Sequence, residues 1–220
     1  MKHSITITKL LAYIAILSLA GCATTRSSNN IPSSYKLNSN SHNGLLLASV
    51  TYHGSYSGYS MTYRKVGSSQ STNLTIGSGS TFVPPGMMDW DIEKHGLRGN
   101  VFAVALPAGE YEISSWLVSS GYASIRPGNE FTIRFQIVPG QAVYLGNFHF
   151  IRSSGFGGMI TDVDVGYSDE SSRDIAIIKQ KYRSVEASDI YMGIENGSSI
   201  SKIGGTSMTD ISYPATMPVQ

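Results

Sequence analysis

The densest cluster of side chains that could do chemistry lies between residues 87 and 95. Two carboxylates, an imidazole and an indole fall close enough for one loop to present them together: Asp89, Trp90, Asp91 and His95. Because loops on a rigid scaffold often carry binding residues, one interpretation is a metal or ligand site. In the other, Trp90 with Met87 and Met88 caps an open end of the fold while the charges face water. Metal sites usually need a third or fourth ligand in defined geometry, which favours the second interpretation and no metal.

A hydrolase would need a nucleophile or a general base held beside an acid. Asp89 or Asp91 could act with His95 or His149, but His149 lies between two phenylalanines on an expected strand, which favours a half-buried structural role. The run from Gly54 to Gly58 contains glycine and serine without the G-x-S-x-G spacing of a nucleophile elbow. The sequence therefore predicts no enzyme and no cofactor, and a hydrolase is a minor alternative.

Three aspartates follow the glycine-rich turn at residues 155–158. Asp162 and Asp164 share one face of an expected strand, and Asp169 comes just after it. Carboxylates in this arrangement could bind calcium, but the glycine turn and the distal bidentate glutamate of an EF-hand loop are missing. A solvated strand face is the favoured interpretation.

Tyrosine is abundant, with 13 residues in the chain. Four of these tyrosines and one tryptophan could form a platform that stacks on sugars or contacts a host surface: Tyr52, Tyr56, Tyr59, Tyr63 and Trp90. Tyrosine is also a good strand former, so ordinary cross-strand packing is the favoured alternative.

The fold is organised around residues 101–150, where the pattern predicts four strands with tight turns between them. Residues 101–106 are all apolar, and residues 131–138 alternate apolar with polar side chains, as a half-buried strand does. Pro-Gly pairs predict type II turns at 126–129 and 138–141, because proline fixes φ and the glycine after it supplies a positive φ. Turns this short leave no room for crossover helices, which favours an antiparallel sandwich over a parallel sheet.

The remaining elements extend the same domain. Gly146, in the middle of an expected strand, indicates a bulge or a close backbone approach. Further strands are expected at residues 45–52, 59–66, 73–76 and 159–167. The period then changes, because Ile175, Ile178 and Tyr182 recur at helical spacing and Ser171 with Asp174 imitates a capping box. We therefore expect a mainly β protein, an antiparallel β-sandwich with one C-terminal helix.

Two motifs in this block carry a resemblance to a known family. The run LPAGEY at residues 106–111, followed by PGQAVYLG at 139–146, resembles the pattern of bacterial lipoproteins that contain a transthyretin-like or carboxypeptidase-regulatory-like sandwich. The resemblance implies a transthyretin-like or immunoglobulin-like β-sandwich. It carries over no catalytic residues, because the motif consists of turn residues and strand apolars.

The N-terminus has the features of an export signal. A basic stretch, residues 1–9, precedes an apolar run, residues 10–19, which is shorter than the roughly 20 residues of a membrane-spanning helix. The run ends Leu19-Ala20-Gly21-Cys22, which resembles the lipobox of bacterial lipoproteins. The resemblance implies that the Cys22 thiol takes up a diacylglyceryl group, that the chain is then cleaved before Cys22, and that the freed amine receives a third acyl chain. An ordinary secretory signal with a chance cysteine is the alternative. Ala23, where an aspartate would retain enterobacterial lipoproteins, implies sorting to the outer membrane.

These features divide the chain into four parts. Residues 1–21 are the expected signal peptide, 22–44 the lipidated cysteine and a serine- and asparagine-rich flexible tether, 45–183 the sandwich with its terminal helix, and 184–220 a weakly ordered tail. The 16 Lys+Arg against 15 Asp+Glu give no basic excess, so nucleic acid is not an expected partner.

The sequence thus predicts a non-enzymatic lipoprotein of the cell envelope. Acyl chains on Cys22 would attach it to the outer membrane, and its sandwich would bind another envelope protein or serve assembly. The alternative is a surface-exposed module that binds a carbohydrate or adheres to a host. Whether the domain faces the periplasm or the cell surface stays open.

Overall fold

The structure is a computed structural model that describes residues 25–27, 30–38, 40–79 and 89–212. Strands make up most of it, and one helix, α1 (Ser171–Lys181), lies between β11 and β12. A short 3₁₀ turn (Ala187–Asp189) precedes β12. The strands in chain order are β1 (Thr25–Ser27), β2 (Asn43–His53), β3 (Gly58–Lys65), β4 (Ser71–Ile76), β5 (Ile92–Lys94), β6 (Leu97–Pro107), β7 (Gly109–Ser120), β8 (Ala123–Pro127), β9 (Ile133–Ile137), β10 (Ala142–Phe156), β11 (Met159–Ser168), β12 (Ile190–Met192), β13 (Ser199–Ile200) and β14 (Ser207–Ile211).

Two sheets pack face to face, so the expected sandwich is confirmed. Sheet A has the order β1-β4-β3-β7-β8-β14, with β9 also paired to β7. Sheet B has the order β13-β11-β10-β2-β6-β5, with β12 also paired to β10. Most pairs are antiparallel, but β2 and β10 at the centre of sheet B run parallel, which turn lengths could not reveal because these two strands are far apart in sequence.

The central strands of sheet B are covered on both faces. Leu45, Leu46 and Leu47 in β2 are all fully buried, although alternate side chains of a strand point to opposite faces. One face packs on sheet A, where Tyr52 stacks on Tyr59 with ring centroids 4.8 Å apart. The other face lies under α1, whose Ile178 is also fully buried.

Of the two predicted Pro-Gly turns, the structure confirms one and contradicts the other. Gly140 has φ 70°, and Gln141 N donates to Val138 O at 3.2 Å, so the predicted type II turn at 138–141 is confirmed. The turn predicted at 126–129 is wrong, because β8 continues through Pro127 and Gly128 does not have a positive φ. Glycine is needed there for close approach, since a Cβ on Gly128 would lie 2.2 Å from the carbonyl oxygen of Thr206.

The bulge expected at Gly146 is present. The β2–β10 register shifts between Tyr144 and Asn147, and Gly146 has φ 106°. Because of the extra residue, Tyr144 and Asn147, three positions apart, pair with Leu47 and Ser49 on the same face of β2. Both side chains therefore face α1.

The described part of the expected tether, residues 25–27, 30–38 and 40–44, is attached to the sandwich, since residues 25–27 form β1 and pair with β4. Ile31 is buried, its N–H donates to Ala103 O at 2.8 Å, and the Asn30 side-chain oxygen accepts from Ala103 N at 2.8 Å. These bonds satisfy the edge of β6 that β5 does not cover, where Ala103 is fully buried. The serine- and asparagine-rich composition predicted a flexible segment. The bonds that hold it are made largely by backbone atoms, which composition does not reveal.

The described part of the expected tail, residues 184–212, is also ordered. Ile194 and Ile203 are buried, and the Ile203 carbonyl accepts the indole N–H of Trp116 at 3.0 Å. β14 extends sheet A, and its Ser207 and Thr209 hydroxyls donate to Asp162 and to Thr161 O on β11 of sheet B. The sequence did not predict this order because Ile194 and Ile203 are single apolar residues among glycines and form no helical or strand period.

The strand register defines two ends of the sandwich. The Gly67 end carries the start of β2 and the β3–β4, β6–β7 and β9–β10 turns. The Gly121 end, opposite, carries the β2–β3, β5–β6 and β7–β8 turns and the β10–β11 hairpin. Within the described residues, α1 included, no helix has the length and apolar character needed to cross a membrane.

Candidate functional site

The four residues of the expected loop site are not gathered at one point. Asp91 accepts from Lys181 Nζ on α1 at 2.7 and 2.8 Å and from Val101 N at 3.1 Å. Its own N–H donates to the Asn100 side chain at 3.0 Å. Asp91 therefore ties the chain before β5 to β6 and to the helix, which is a structural use of its charge.

His95 lies at the other end of β5 from Asp91. It has φ 50° and Gly96 has φ 82°, as both central residues of a type I′ hairpin turn require. The separation of four residues along a strand corresponds to about 13 Å, too far for Asp91 and His95 to share a proton or a metal. Asp89 and His95 are both exposed.

Trp90 packs on tyrosines at the Gly121 end. Its ring lies edge-on to Tyr52 with centroids 5.6 Å apart and 6.4 Å from Tyr56. Met87 and Met88, the other residues expected to cap this end, lie outside the described residues. Across residues 30–38, 40–79 and 89–212, no three His, Cys, Asp or Glu side chains are close enough to hold a metal ion.

The three aspartates considered for calcium each have a protein partner. Asp162 accepts from Ser207, and Asp164 pairs with Lys202 at 2.9 Å. Asp169 accepts from Ser171 N and Gly197 N, both at 2.9 Å, and these bonds hold the pKa of its carboxyl below the ordinary value. The side chains are half-buried and position the segments after α1.

Most of the proposed tyrosine platform belongs to the core. Tyr52, Tyr59 and Tyr63 are buried, and burial raises the pKa of the Tyr59 hydroxyl well above the usual range. Tyr56 and Trp90 are half-buried. Only these two of the five aromatic side chains have a face that a ligand could contact.

A buried polar network under α1 was not expected from the sequence. The fully buried Asp174 carboxylate accepts from Ser49 Oγ at 2.6 Å, Tyr144 Oη at 2.7 Å and Arg173 Nε at 2.8 Å. Burial and the adjacent carboxylate raise the pKa of the Tyr144 hydroxyl well above its usual range. Because Ser49 is fully buried as well, its hydroxyl is closed to substrates.

The network continues along β2 and β10 to a histidine. The Asn147 side-chain oxygen lies 2.8 Å from Ser49 Oγ and 3.0 Å from Thr51 Oγ1, which in turn lies 2.9 Å from His149 Nδ1. Burial, then the charges of His53 and Arg173, lower the pKa of the His149 imidazole. The half-buried structural role expected for His149 agrees with this position.

One sequence signal could have revealed this network. Polar residues occur two apart in otherwise apolar stretches of two strands, Ser49 and Thr51 on β2 and Asn147 and His149 on β10. Ser49 pairs with Asn147 and Thr51 with His149 in the sheet register. The pairing of β2 with β10, which brings these positions together, has no local signature in the sequence.

An open groove lies where α1 meets the chain before β5. It has a volume of about 330 Å³ and is lined by Asp91, Ile177, Gln180 and Lys181. The Asp91–Lys181 ion pair neutralises the charges on its wall. This leaves the groove with little to attract a charged ligand.

The most exposed large apolar side chain among the described residues is Phe156, at 86%. It lies in the run Gly155-Phe156-Gly157-Gly158 at the tip of the β10–β11 hairpin. Arg152 braces this tip, because its guanidinium donates to Ser55 Oγ at 2.5 Å and to Gly157 O at 3.3 Å. Tyr122, on the neighbouring β7–β8 turn, is 56% exposed.

Comparison with known proteins finds no counterpart for this chain. No protein-family model matches it, and no curated protein or solved structure is significantly similar. Hypotheses about its role therefore depend on its own residues.

Proposed function

We propose that this protein is a non-enzymatic lipoprotein of the bacterial cell envelope that binds a partner protein. Cys22, the one cysteine of the chain, would carry the acyl chains that attach it to the outer membrane. Support comes from the residues Leu19-Ala20-Gly21-Cys22 after an apolar run of signal-peptide length. Cys22 and the signal segment lie outside the described residues.

Acylation at this position would give lasting attachment. A single acyl chain binds a bilayer only marginally, whereas two or more anchor a protein stably. Lipoprotein processing adds a diacylglyceryl group to the thiol and a further chain to the freed amine. The proposed anchor therefore needs no membrane-spanning helix.

The observation that carries the protein-binding role is the exposure of Phe156. Phenylalanine has no polar group to be hydrated, so covering the exposed Phe156 ring with a partner would remove apolar surface from water and favour binding. The Arg152 contacts hold the tip before any partner arrives, which lowers the entropy lost on binding. Large aromatic side chains are frequent anchors at protein interfaces.

The alternative role, stacking on a carbohydrate, has less support. Tyr52, Tyr59 and Tyr63 are buried and contact other core side chains. An enzymatic role also has little support, because Asp91 is paired with Lys181 and His95 lies in a distant turn.

A photocrosslinking amino acid placed at residue 156 tests the partner-binding role in intact cells. The matched control places it at Met208, which is also exposed, at 64%, but lies on the β14 edge. We expect one defined crosslinked protein from position 156 that is missing from position 208. Equal patterns at the two positions, or no crosslink at 156, would contradict docking through the hairpin tip.

A protease-accessible tag after Gln220 identifies the side of the membrane. Digestion on intact cells would indicate a surface protein and favour the adhesive alternative. Protection until the outer membrane is permeabilised would indicate a periplasmic domain with a partner in the envelope.

A further inference from the structure

The position of β1 restricts where an acyl anchor can lie. β1 pairs in parallel with β4, and Thr25 is in register with Ser71 at the beginning of β4. Only Ala23 and Thr24 separate Thr25 from Cys22. Three residue steps span at most roughly 11 Å, so Cys22 must lie within that distance of Thr25.

The direction of β1 determines which end of the sandwich is near the anchor. β4 begins after the β3–β4 turn at Gly67 and runs towards the Gly121 end. Because β1 runs parallel to it, Thr25, the first residue of β1, lies at the Gly67 end. An anchored Cys22 therefore brings that end to the bilayer.

We infer that the Gly67 end contacts the lipid headgroups and that the Phe156 hairpin points away from the bilayer. The inference rests on the acylation of Cys22 in the proposed function. The contact surface consists of the β3–β4, β6–β7 and β9–β10 turns. It faces the headgroup layer of the membrane that holds the anchor.

The chemistry of the Gly67 end suits this occupant. Lys65 at the end of β3 and Val66 in the β3–β4 turn are both exposed. The Lys65 ammonium donates to Ala108 O at 3.0 Å and is a cation that could also meet phosphates, while Val66 offers a small apolar contact. The acids of the adjacent strand are paired with arginines: Glu112 with Arg64 at 2.7 Å and Glu110 with Arg134 at 3.6 Å. These pairs reduce the repulsion that anionic headgroups would otherwise meet.

The opposite end is held well away from the membrane. β7 runs from Gly109 at the Gly67 end to Ser120 at the Gly121 end. Eleven residue steps of a strand span at most roughly 36 Å, so Phe156, at the Gly121 end, lies tens of ångströms from the proposed contact. The hairpin tip would thus meet a partner in the aqueous space and not in the lipid.

Fluorophores at the two ends test the orientation. Once Cys22 is acylated it has no free thiol, so Val66→Cys and Phe156→Cys each provide one unique labelling site in the full chain. The acylated proteins are bound to vesicles of phosphatidylethanolamine and phosphatidylglycerol that contain a lipid with a headgroup nitroxide. Because the sites differ by tens of ångströms, we expect at least about threefold stronger quenching at residue 66 than at 156. Equal quenching, or stronger quenching at 156, would overturn the inference.

Two controls separate this inference from the proposed function. Vesicle flotation and mass spectrometry establish whether the labelled proteins are acylated, and protein without acyl chains would overturn both proposals. If the protein is acylated but quenching at residue 66 is not stronger than at residue 156, only the inferred orientation is overturned and the lipoprotein proposal stands. Inserting twelve Gly and Ser residues after Ala23 should keep acylation and bring the two quenching values closer. An unchanged ratio would show that the short connection does not orient the domain, and would also overturn the inference.

Discussion

The hydroxyl of Tyr144 on β10 donates to the carboxylate of Asp174 on α1 at 2.7 Å, and both side chains are fully buried. The bond exists because the bulge at Gly146 turns Tyr144 to the same face as Asn147. It attaches the helix to the central strands of sheet B. Together with Ser49 and Arg173, Tyr144 compensates the removal of the carboxylate from water.

Replacing this carboxylate should loosen the helix. Asp174→Asn keeps the size of the side chain but removes the charge opposite Arg173 and leaves donors without an acceptor. We expect the free energy of unfolding to fall by about 3 kcal/mol in urea denaturation. Asp210→Asn, at an exposed ion pair of 3.9 Å, is the control and should change it by less than about 0.5 kcal/mol. A loss below about 1 kcal/mol for Asp174→Asn would show that the network contributes little.

The packing of the N-terminal segment predicts an effect at Asn30. Asn30→Ala removes the acceptor of the buried Ala103 N–H and should cost about 1–3 kcal/mol of stability. Asn196→Ala, at an exposed position, is the control for a general effect of losing an asparagine. If both variants have the stability of the unmodified protein, the Asn30 side chain does not contribute to closing the edge of β6.

The position of His149 predicts a dependence of stability on pH. Its imidazole has an ordinary pKa of 6.5, which burial and the charges of His53 and Arg173 lower in the folded chain. Below pH 6.5 the unfolded chain takes up a proton that the folded chain resists, so stability falls as the pH decreases from 6.5 through the folded pKa.

His149→Gln should remove this part of the pH dependence. Above pH 6.5 we expect the free energies of unfolding of the variant and the unmodified protein to differ by a constant amount. Below pH 6.5 the unmodified protein should lose stability more steeply than the variant, so the difference should change. Urea denaturation at several pH values measures the two curves. Parallel curves throughout would mean that His149 does not titrate differently on folding.

Two phenylalanines on β10 should respond in opposite ways to truncation. Phe150 is fully buried against Tyr59 and Trp116, so Phe150→Ala should cost about 3–5 kcal/mol. Phe156→Ala should change stability by less than about 0.5 kcal/mol, because its side chain is exposed. Thermal and urea unfolding measure both variants. A large loss for Phe156→Ala would indicate that the tip packs within the molecule and would count against the proposal that it docks a partner.

Local patterns were sufficient for most of the sandwich. The alternation at residues 131–138, the helical spacing of Ile175 and Ile178, and the Pro-Gly turn at 138–141 all depend on neighbours in sequence, and the structure has these elements. The turn predicted at 126–129 was wrong because Gly128 does not adopt a positive φ. Glycine is needed there because the backbone of Thr206, almost eighty residues away in sequence, approaches closely.

The chain ends and the polar network needed information that the sequence does not carry locally. Asn30 and Ile31 bind Ala103 on a strand edge, and Ile203 binds Trp116, through bonds that span many residues. The loop residues from Asp89 to His95 looked like one site because they are close in sequence. The β5 strand between Asp91 and His95 separates them, and Lys181 from the helix takes the carboxylate.

The measurement that tests the lipoprotein assignment most directly is acylation at Cys22. Cells that express the tagged full chain are fed an alkyne analogue of palmitate, and the purified protein is analysed for label and for its N-terminal residue. We predict a labelled protein that begins at Cys22, and for Cys22→Ala an unlabelled chain that does not float with membranes. Unlabelled protein with an intact N-terminus, or with a cleavage site other than the bond before Cys22, would contradict the assignment.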